Sequence, residues 1–119
     1  MSIPELLAAC EADPEHFQLH INGFIDDLRR VPVENVRGLL LPGPAAEGQL
    51  PGLVAAIASA ICRERGVETP EWVGRTGSPT PFFLLPARSF AMRVRLMIES
   101  PLPFKIRRVF VPENYLSRA

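Results

Sequence analysis

Two histidines near the start of the chain are spaced so that they could share a metal ion. His16 and His20 lie four residues apart in PEHFQLH, so on a helix both imidazoles point the same way. Asp27, seven residues further on, could supply a third ligand from that face. A zincin motif would carry Glu after the first His, where this chain has Phe17. The pair is therefore open to two interpretations, and we favour two solvent-facing histidines over a metal site.

The same segment contains adjacent carboxylates followed by adjacent guanidinium groups. Asp26 and Asp27 could present oxygens to a cation. Arg29 and Arg30 follow at helical spacings of three and four, which is the spacing of helix-surface ion pairs worth ~0.2–0.5 kcal/mol each. We expect surface ion pairs here.

No other part of the chain carries a catalytic signature. The stretch LPGPAAEGQLPG lacks the Lys-Ser/Thr end of a phosphate-binding P-loop. No Ser, Thr or Cys has a His nearby in sequence, so a nucleophile and base pair is not indicated. Cys10 and Cys62 stand far apart among apolar neighbours, which favours reduced, buried thiols over a zinc ribbon or redox pair. We expect neither enzymatic activity nor a cofactor.

Short helices are expected to position these residues, because 13 Pro in 119 residues favour several short elements joined by rigid turns over a few long helices. Ser2 and Glu5 form a capping-box pattern that opens a first helix running to about Ala12. From residue 14 to 30, one helical stripe carries Phe17, Ile21, Phe24 and Leu28. Gly23 within it could mark close packing of another element. A further short helical pattern, carried by Val33, Val36 and Leu40, covers residues 31–41 and starts at Pro32.

The middle of the chain reads as a loop, a buried helix and a second loop. Residues 42–50 form the main loop. Residues 53–65 are apolar on nearly every face, which predicts the central helix of the fold, ending at Gly66. Residues 67–86 contain Trp72 and several aromatic and proline residues. Because prolines would deny a sheet its ladder donors, we expect an irregular aromatic loop there rather than a strand.

The C-terminal third is predicted to be helical and then partly extended. Residues 88–99 form a helix whose stripe, made of Phe90, Val94, Met97 and Ile98, should face the core. A short helix follows over 101–108, and Val109–Val111 should be extended. The whole chain is therefore expected to be one domain, 1–119, an all-α compact bundle of four to six short helices with an ordered C-terminal segment.

Charge is distributed unevenly although the net charge is zero. Residues 1–87 carry six basic and eleven acidic groups, net −5, whereas residues 88–119 carry seven basic and two acidic groups, net +5. The two halves could neutralise each other internally, or the basic face could be open to phosphates or an acidic partner. The residues of that candidate partner-binding face are Arg88, Arg95, Lys105, Arg107, Arg108 and Arg118.

The tail should anchor itself with apolar side chains and keep its charges at the edge. We expect Phe104, Ile106, Phe110 and Leu116 to pack on the core, with Lys105, Arg107 and Arg108 at the polar edge. Because the aromatic residues pack inward, stacking on nucleic-acid bases is less favoured. The start, MSIPELL, and the lack of a long apolar run predict a cytoplasmic protein without a membrane span. The apolar content allows a dimer.

The ending SPLPFKIRRVFVPENYLSRA resembles that of a family of small bacterial proteins. Its members end in Ser-Pro-x-x-Phe-(Arg/Lys)-x-Arg-x-(Ile/Val)-Phe-Val, a short spacer and Leu-x-Arg, and the likeness extends weakly back to Phe24. The matching residues are Ser100, Pro101, Phe104, Lys105, Arg107, Phe110, Val111, Leu116 and Arg118. Between residues 73 and 85 this chain departs from the family pattern, with VGRTGSPTPFF where more charged and aromatic residues are usual.

Such proteins resemble the small partners found beside nucleotidyltransferase-like toxins in two-gene modules. The resemblance implies an antitoxin-like or immunity-like inhibitor of a partner protein, with an adjacent gene as the expected source of that partner. Together with the basic C-terminal region, it leads us to expect a non-enzymatic protein-binding module. The alternative is a nucleic-acid-associated regulator that uses the same basic region, which would bind DNA or RNA with a strong salt dependence.

Overall fold

The computed structural model describes residues 2–84 and 89–116, and in these ranges the fold is mostly helical. This confirms the all-α prediction, with one small addition of strand. The α-helices are α1 (Ile3–Ala12), α2 (Phe17–Arg30), α3 (Val33–Leu39), α4 (Gln49–Arg65), α5 (Glu71–Arg75), α6 (Phe90–Glu99) and α7 (Leu102–Lys105). A 3-10 turn covers Pro14–His16, and the strands are β1 (Phe82–Phe83) and β2 (Val109–Phe110). No helix in the described ranges is long and apolar enough to cross a membrane.

The N-terminal helices form as their local signals predict. The Ser2 hydroxyl accepts a hydrogen bond from the Glu5 amide at 3.3 Å, and the Glu5 carboxylate accepts one from the Ser2 amide at 3.3 Å. This reciprocal pair satisfies two donors that the first turn would otherwise leave unpaired. The predicted stripe of α2 faces the core, where Ile21 and Leu28 are fully buried. Gly23, in contrast, is exposed with no close neighbour, so the expectation of close packing there is wrong.

Helix α4 is the buried centre of the fold. Its residues from Gly52 to Ala58 are all buried. Helices α2, α5 and α7 and strand β2 pack on it, and α1 packs on α2. It begins at Gln49, four residues before the predicted start, and so shortens the main loop. Gly66 ends it in the left-handed conformation with φ of 68°, where the Val67 amide donates to the Cys62 carbonyl at 2.8 Å. This is the Schellman arrangement that glycine permits without steric strain.

Both cysteines are buried and unpaired, as predicted. Cys10 lies in α1 and Cys62 in α4, and each belongs to the main apolar cluster. Burial raises the pKa of each thiol, which disfavours the reactive thiolate. They therefore act as small apolar side chains.

The segment predicted to be an irregular loop contains a helix and a strand instead. Helix α5 holds Trp72, whose indole donates to the Leu40 carbonyl at 2.8 Å. Strand β1 then pairs in parallel with β2, Phe82 opposite Val109 and Phe83 opposite Phe110. The prolines permit this strand because Phe82 and Leu84 supply the amide donors, at 2.9 and 3.0 Å, and neither is a proline.

The C-terminal segment packs back onto the helices. Phe104 is completely buried and meets the Tyr115 ring edge-on, with the ring centroids 5.8 Å apart. The Tyr115 hydroxyl donates to the Gln18 side chain at 3.0 Å, and burial raises the pKa of Tyr115 to about 12. Arg29 of α2 donates to the Leu116 carbonyl at 2.8 Å. The predicted anchors Phe104, Phe110 and Leu116 are confirmed, with the last packed at the edge of the core.

Gly52 should be the least replaceable glycine of the helices. A Cβ at this position would lie 2.7 Å from the Ser78 backbone nitrogen and 3.0 Å from the Gly77 carbonyl carbon. Because both are backbone atoms, the 77–78 segment would have to move. We expect Gly52→Ala to lower the free energy of unfolding by about 1–3 kcal/mol, despite the better helix propensity of Ala.

Gly23→Ala is the matched control, since a Cβ there meets nothing within 4 Å. The same change should raise the free energy of unfolding by about 0.5–1 kcal/mol, because Ala loses less backbone entropy on folding. Urea denaturation of both variants measures the difference. Stabilisation by both changes would show that the 77–78 segment does not press on α4.

Candidate functional site

Helix α6 is attached to the rest of the protein along one narrow side. The Ser89 hydroxyl caps its start by accepting from the Met92 amide at 3.1 Å. Leu96 is its one buried residue among those described, and it packs with Phe110 and the partly buried Phe83. At its end, the buried Ser100 hydroxyl accepts from the Val111 amide at 2.9 Å. The helix is thus held by Leu96, by the Arg93 guanidinium 5.7 Å from the centroid of the Phe83 ring, and by its two ends.

The opposite side of α6 is apolar and faces solvent. Phe90 is 82% exposed, Ile98 is 70% exposed and Met97 is 45% exposed, with Val94 of intermediate exposure between them. These four residues are the stripe that was predicted to face the core, so the prediction of the stripe is right and its direction is wrong. Ile98 lies about 160° around the helix from Leu96, by the 3.6-residue turn. We call Phe90, Val94, Met97 and Ile98 the apolar face.

Two residues of the predicted basic face flank the apolar face. Arg95 is a helix neighbour of Ile98, three residues before it, and its guanidinium pairs with Glu99 at 2.9 Å. The Lys105 ammonium donates to the Ile98 carbonyl at 3.2 Å, which brings α7 to the end of α6. Arg95 and Lys105 are both exposed, and we call them the cationic rim. Arg88 and Arg118, predicted for the same face, lie outside the described residues.

Arg107 is buried, which corrects its predicted place at the polar edge. Its side chain is 9% exposed, and its guanidinium donates to the Val73 carbonyl at 3.0 and 3.3 Å and to the Pro103 carbonyl at 2.7 Å. Burial lowers the pKa of Arg107, since it disfavours the charged guanidinium. The ion pairs of the described residues do not include Arg107. Arg107 thus joins α5 to α7.

Ile106, predicted as an anchor, is 64% exposed. The reason is the helical turn of α7, in which residues three apart share a side. Phe104 and Arg107 therefore both point inward, while Lys105 and Ile106 point outward. Leu102, four residues before Ile106, is exposed as well.

A cleft of about 360 Å³ opens where Arg107 and Arg108 meet the segment after α5. Its lining residues are Glu47, Gly74, Arg75, Thr76, Gly77, Ser78, Pro79, Ile106, Arg107 and Arg108. Arg108 has a φ of 58°, which a non-glycine residue adopts at a cost of about 1–2 kcal/mol. Its guanidinium donates to the Pro79 carbonyl at 3.2 Å. Sequence reasoning missed Glu47 and Arg75. Arg75 lies in the turn-forming GRTGSP stretch, and Glu47 lies in the loop LPGPAAEGQLPG, where neither had a signal beyond its turn residues.

The two histidines both pair with Asp13, and none of the ion pairs of the described residues joins either histidine to Asp27. His16 Nδ1 lies 2.9 Å from one Asp13 carboxylate oxygen, and His20 Nε2 lies 3.6 Å from the other. The hydrogen bond with His16 is the main cause of a lowered Asp13 pKa. Within residues 2–84 and 89–116, no group of three His, Cys, Asp or Glu side chains is arranged to hold a metal ion.

The arginine-aspartate pairs predicted within α2 are replaced by a pair between helices. Arg29 binds Glu64 of α4 through two nitrogens, each at 3.1 Å. The ion pairs that the described residues form all join groups of the same half of the chain, 1–87 or 88–119.

Comparisons of the chain with protein-family models, with curated proteins and with solved structures gave no match.

Proposed function

We propose that this chain is a non-enzymatic, cytoplasmic protein-binding module, and that its partner docks on the apolar face of α6. The observation that carries the proposal is the solvent exposure of that face, with Phe90 and Ile98 as its largest open side chains. Contiguous exposed apolar surface on a small protein typically marks an interaction site.

The stability of α6 supports the same conclusion. A helix of 10 residues is marginal in water unless a side of it is buried, and α6 buries one residue among those described. A partner covering the apolar face would supply the missing burial. The spacing of Phe90, Val94, Met97 and Ile98 is the i, i+4, i+7, i+8 pattern with which a helix lies in an apolar groove.

The cationic rim indicates the chemistry of the partner. Arg95 and Lys105 both flank Ile98, and Glu99 neutralises part of this charge. A protein groove with apolar walls and acidic residues at its edge would complement this surface, and charge complementarity chiefly gives such a pair its specificity and association rate. We therefore infer an acidic protein partner.

The resemblance of the tail supports an antitoxin-like or immunity-like role. In that role the chain would inhibit a partner by covering an acidic or phosphate-binding site, with the apolar face supplying affinity and the cationic rim supplying orientation. The product of an adjacent gene is the first partner to test.

The test compares two double variants of the full chain. Phe90→Asp with Ile98→Asp places charge on the apolar face. Leu19→Asp with Val33→Asp makes the same change at two exposed apolar residues of α2 and α3. Both should keep the thermal midpoint of the parent chain, because all four side chains are exposed, Val33 least at 48%. Calorimetry with the adjacent gene product should show about 100-fold weaker binding for the first and a change under about threefold for the second.

Three results would overturn the proposal. The first is equal binding by both double variants. The second is a homodimer in sedimentation experiments that Phe90→Asp converts to a monomer, because the face would then serve self-association. The third is salt-dependent retention of nucleic acid by the purified chain, lost on Arg95→Glu with Lys105→Glu, which would favour the nucleic-acid regulator.

A further inference from the structure

We propose that the cleft between the segment after α5 and the Arg107–Arg108 turn is a binding site for a phosphate group. The proposal is independent of the apolar face, since none of the residues of that face lines the cleft. It rests on how the cleft is charged, how its arginines are held and what the backbone does there.

Positive charge dominates the lining of the cleft. Arg75, Arg107 and Arg108 line it together with a single carboxylate, Glu47, so three positive charges face one negative charge. Arg75 pairs outside the lining with the exposed Glu71 at 3.3 Å, a surface pair that a ligand could displace at little cost. In the described ranges, Glu47 forms no ion pair with Arg107 or Arg108.

Arg107 is a preorganised donor. The carbonyls of Val73 and Pro103 fix the plane of its guanidinium through three hydrogen bonds. A guanidinium has five N–H donors, so these bonds leave donors for a further acceptor. A buried positive charge without a counter-ion is unfavourable, and an anion at the mouth of the cleft would relieve it.

Arg108 reaches the cleft through a strained backbone. Its left-handed φ of 58° turns the chain between α7 and β2, and its guanidinium spans to the Pro79 carbonyl on the other wall. Strained non-glycine residues occur preferentially at ligand-binding sites. Glycine at this position would avoid the strain. We therefore attribute the presence of arginine to a function of its side chain.

These features indicate a phosphate dianion, free or as a monoester. Arginine presents planar, paired donors that match phosphate oxygens, and several arginines around one group favour a doubly charged ligand over a singly charged one. The small residues Gly74 and Gly77 in the lining leave room for a group close to the backbone.

The first experiment is an NMR titration of the full chain with inorganic phosphate at constant ionic strength and neutral pH. We expect saturable amide shifts confined to residues 74–78 and 106–108, with a Kd at or below about 1 mM. A second titration uses a nucleoside 5′-monophosphate. Tighter binding than phosphate would identify a monoester as the ligand, and equal binding would identify the free anion. Absence of saturable shifts in both titrations would overturn the proposal.

Four variants then assign the site. Arg108→Gly removes a guanidinium while relieving the backbone, so it should weaken binding at least tenfold without lowering the thermal midpoint. Arg75→Gln, at an exposed position, should also weaken binding and keeps the test valid if Arg108→Gly misfolds. Glu47→Gln should tighten binding several-fold, because it removes the opposing charge. Arg95→Gln is the control, with the same change in net charge outside the cleft.

Equal weakening by Arg95→Gln and Arg108→Gly would overturn the proposal, because the phosphate would then respond to overall charge. Weaker binding by Glu47→Gln would also overturn the proposal, because Glu47 would then help to position a ligand other than phosphate. A variant that loses phosphate binding but still binds the adjacent gene product shows that this site and the proposed docking face act independently. A variant with the reverse behaviour shows the same.

Discussion

Replacing Phe104 by Ala is expected to lower the free energy of unfolding by about 3–5 kcal/mol. The ring is fully buried, touches Tyr115 edge-on and lies in the cluster that joins the C-terminal segment to the helices. Its removal takes apolar surface from the core, leaves a cavity and ends the contact between the two rings. Urea denaturation, followed by far-ultraviolet circular dichroism, measures the loss. Because small domains have a total stability of about 5–15 kcal/mol, the variant should be near its folding limit.

Ile106→Ala is the control for this prediction. The sequence assigns Phe104 and Ile106 the same anchoring role, but Ile106 is 64% exposed. Its replacement should change the free energy of unfolding by no more than about 0.5 kcal/mol. Comparable losses for the two variants would contradict the inward and outward assignment of α7.

Replacing Arg107 by Met should lower the free energy of unfolding by about 2–4 kcal/mol. Met fills much of the volume of the side chain but cannot donate to the carbonyls of Val73 and Pro103. Two acceptors fixed by the backbone would then lack their donors. The junction between α5 and α7 should loosen, and hydrogen exchange of the amides near residue 73 should accelerate.

Lys105→Met is the matched control, because Lys105 is exposed and two positions away. It should leave the free energy of unfolding within about 0.5 kcal/mol of the parent value. Equal effects of the two changes would show that Arg107 does not hold the junction.

The contrast between Arg107 and Lys105 also guides binding studies. Reversing the charge of Arg107 would disturb folding, so loss of a partner in such a variant says nothing about the surface.

Local patterns predicted the helices of this protein well. The capping box of Ser2 and Glu5, the stripe of α2 and the glycine end of α4 all appear as expected. Each depends on residues within about four positions of one another, so the chain specifies them without tertiary contacts.

The candidate sites could be predicted only in part. The basic residues were found by their charge. Of those that the structure describes, Arg95 and Lys105 lie at the rim of the apolar face, and Arg107 and Arg108 line the cleft. Arg75 and Glu47 were missed, because the cleft brings residues near 47, 75 and 107 together across a long stretch of chain. Spacing along a sequence carries no information about such a meeting.

By itself, the sequence determined which side chains share a face, where most helices begin and end, and that the fold is helical. The tertiary structure decided which face is covered. Helical periodicity places Phe90, Val94, Met97 and Ile98 on one face of α6. It does not indicate whether that face meets the core or the solvent. The pairing of β1 with β2 and the packing of Leu96 settle that α6 presents this stripe outward. The turn of α7 likewise buries an arginine and exposes an isoleucine. The position of the turn in the fold decides which of its sides meets the core, whatever the polarity of the side chains.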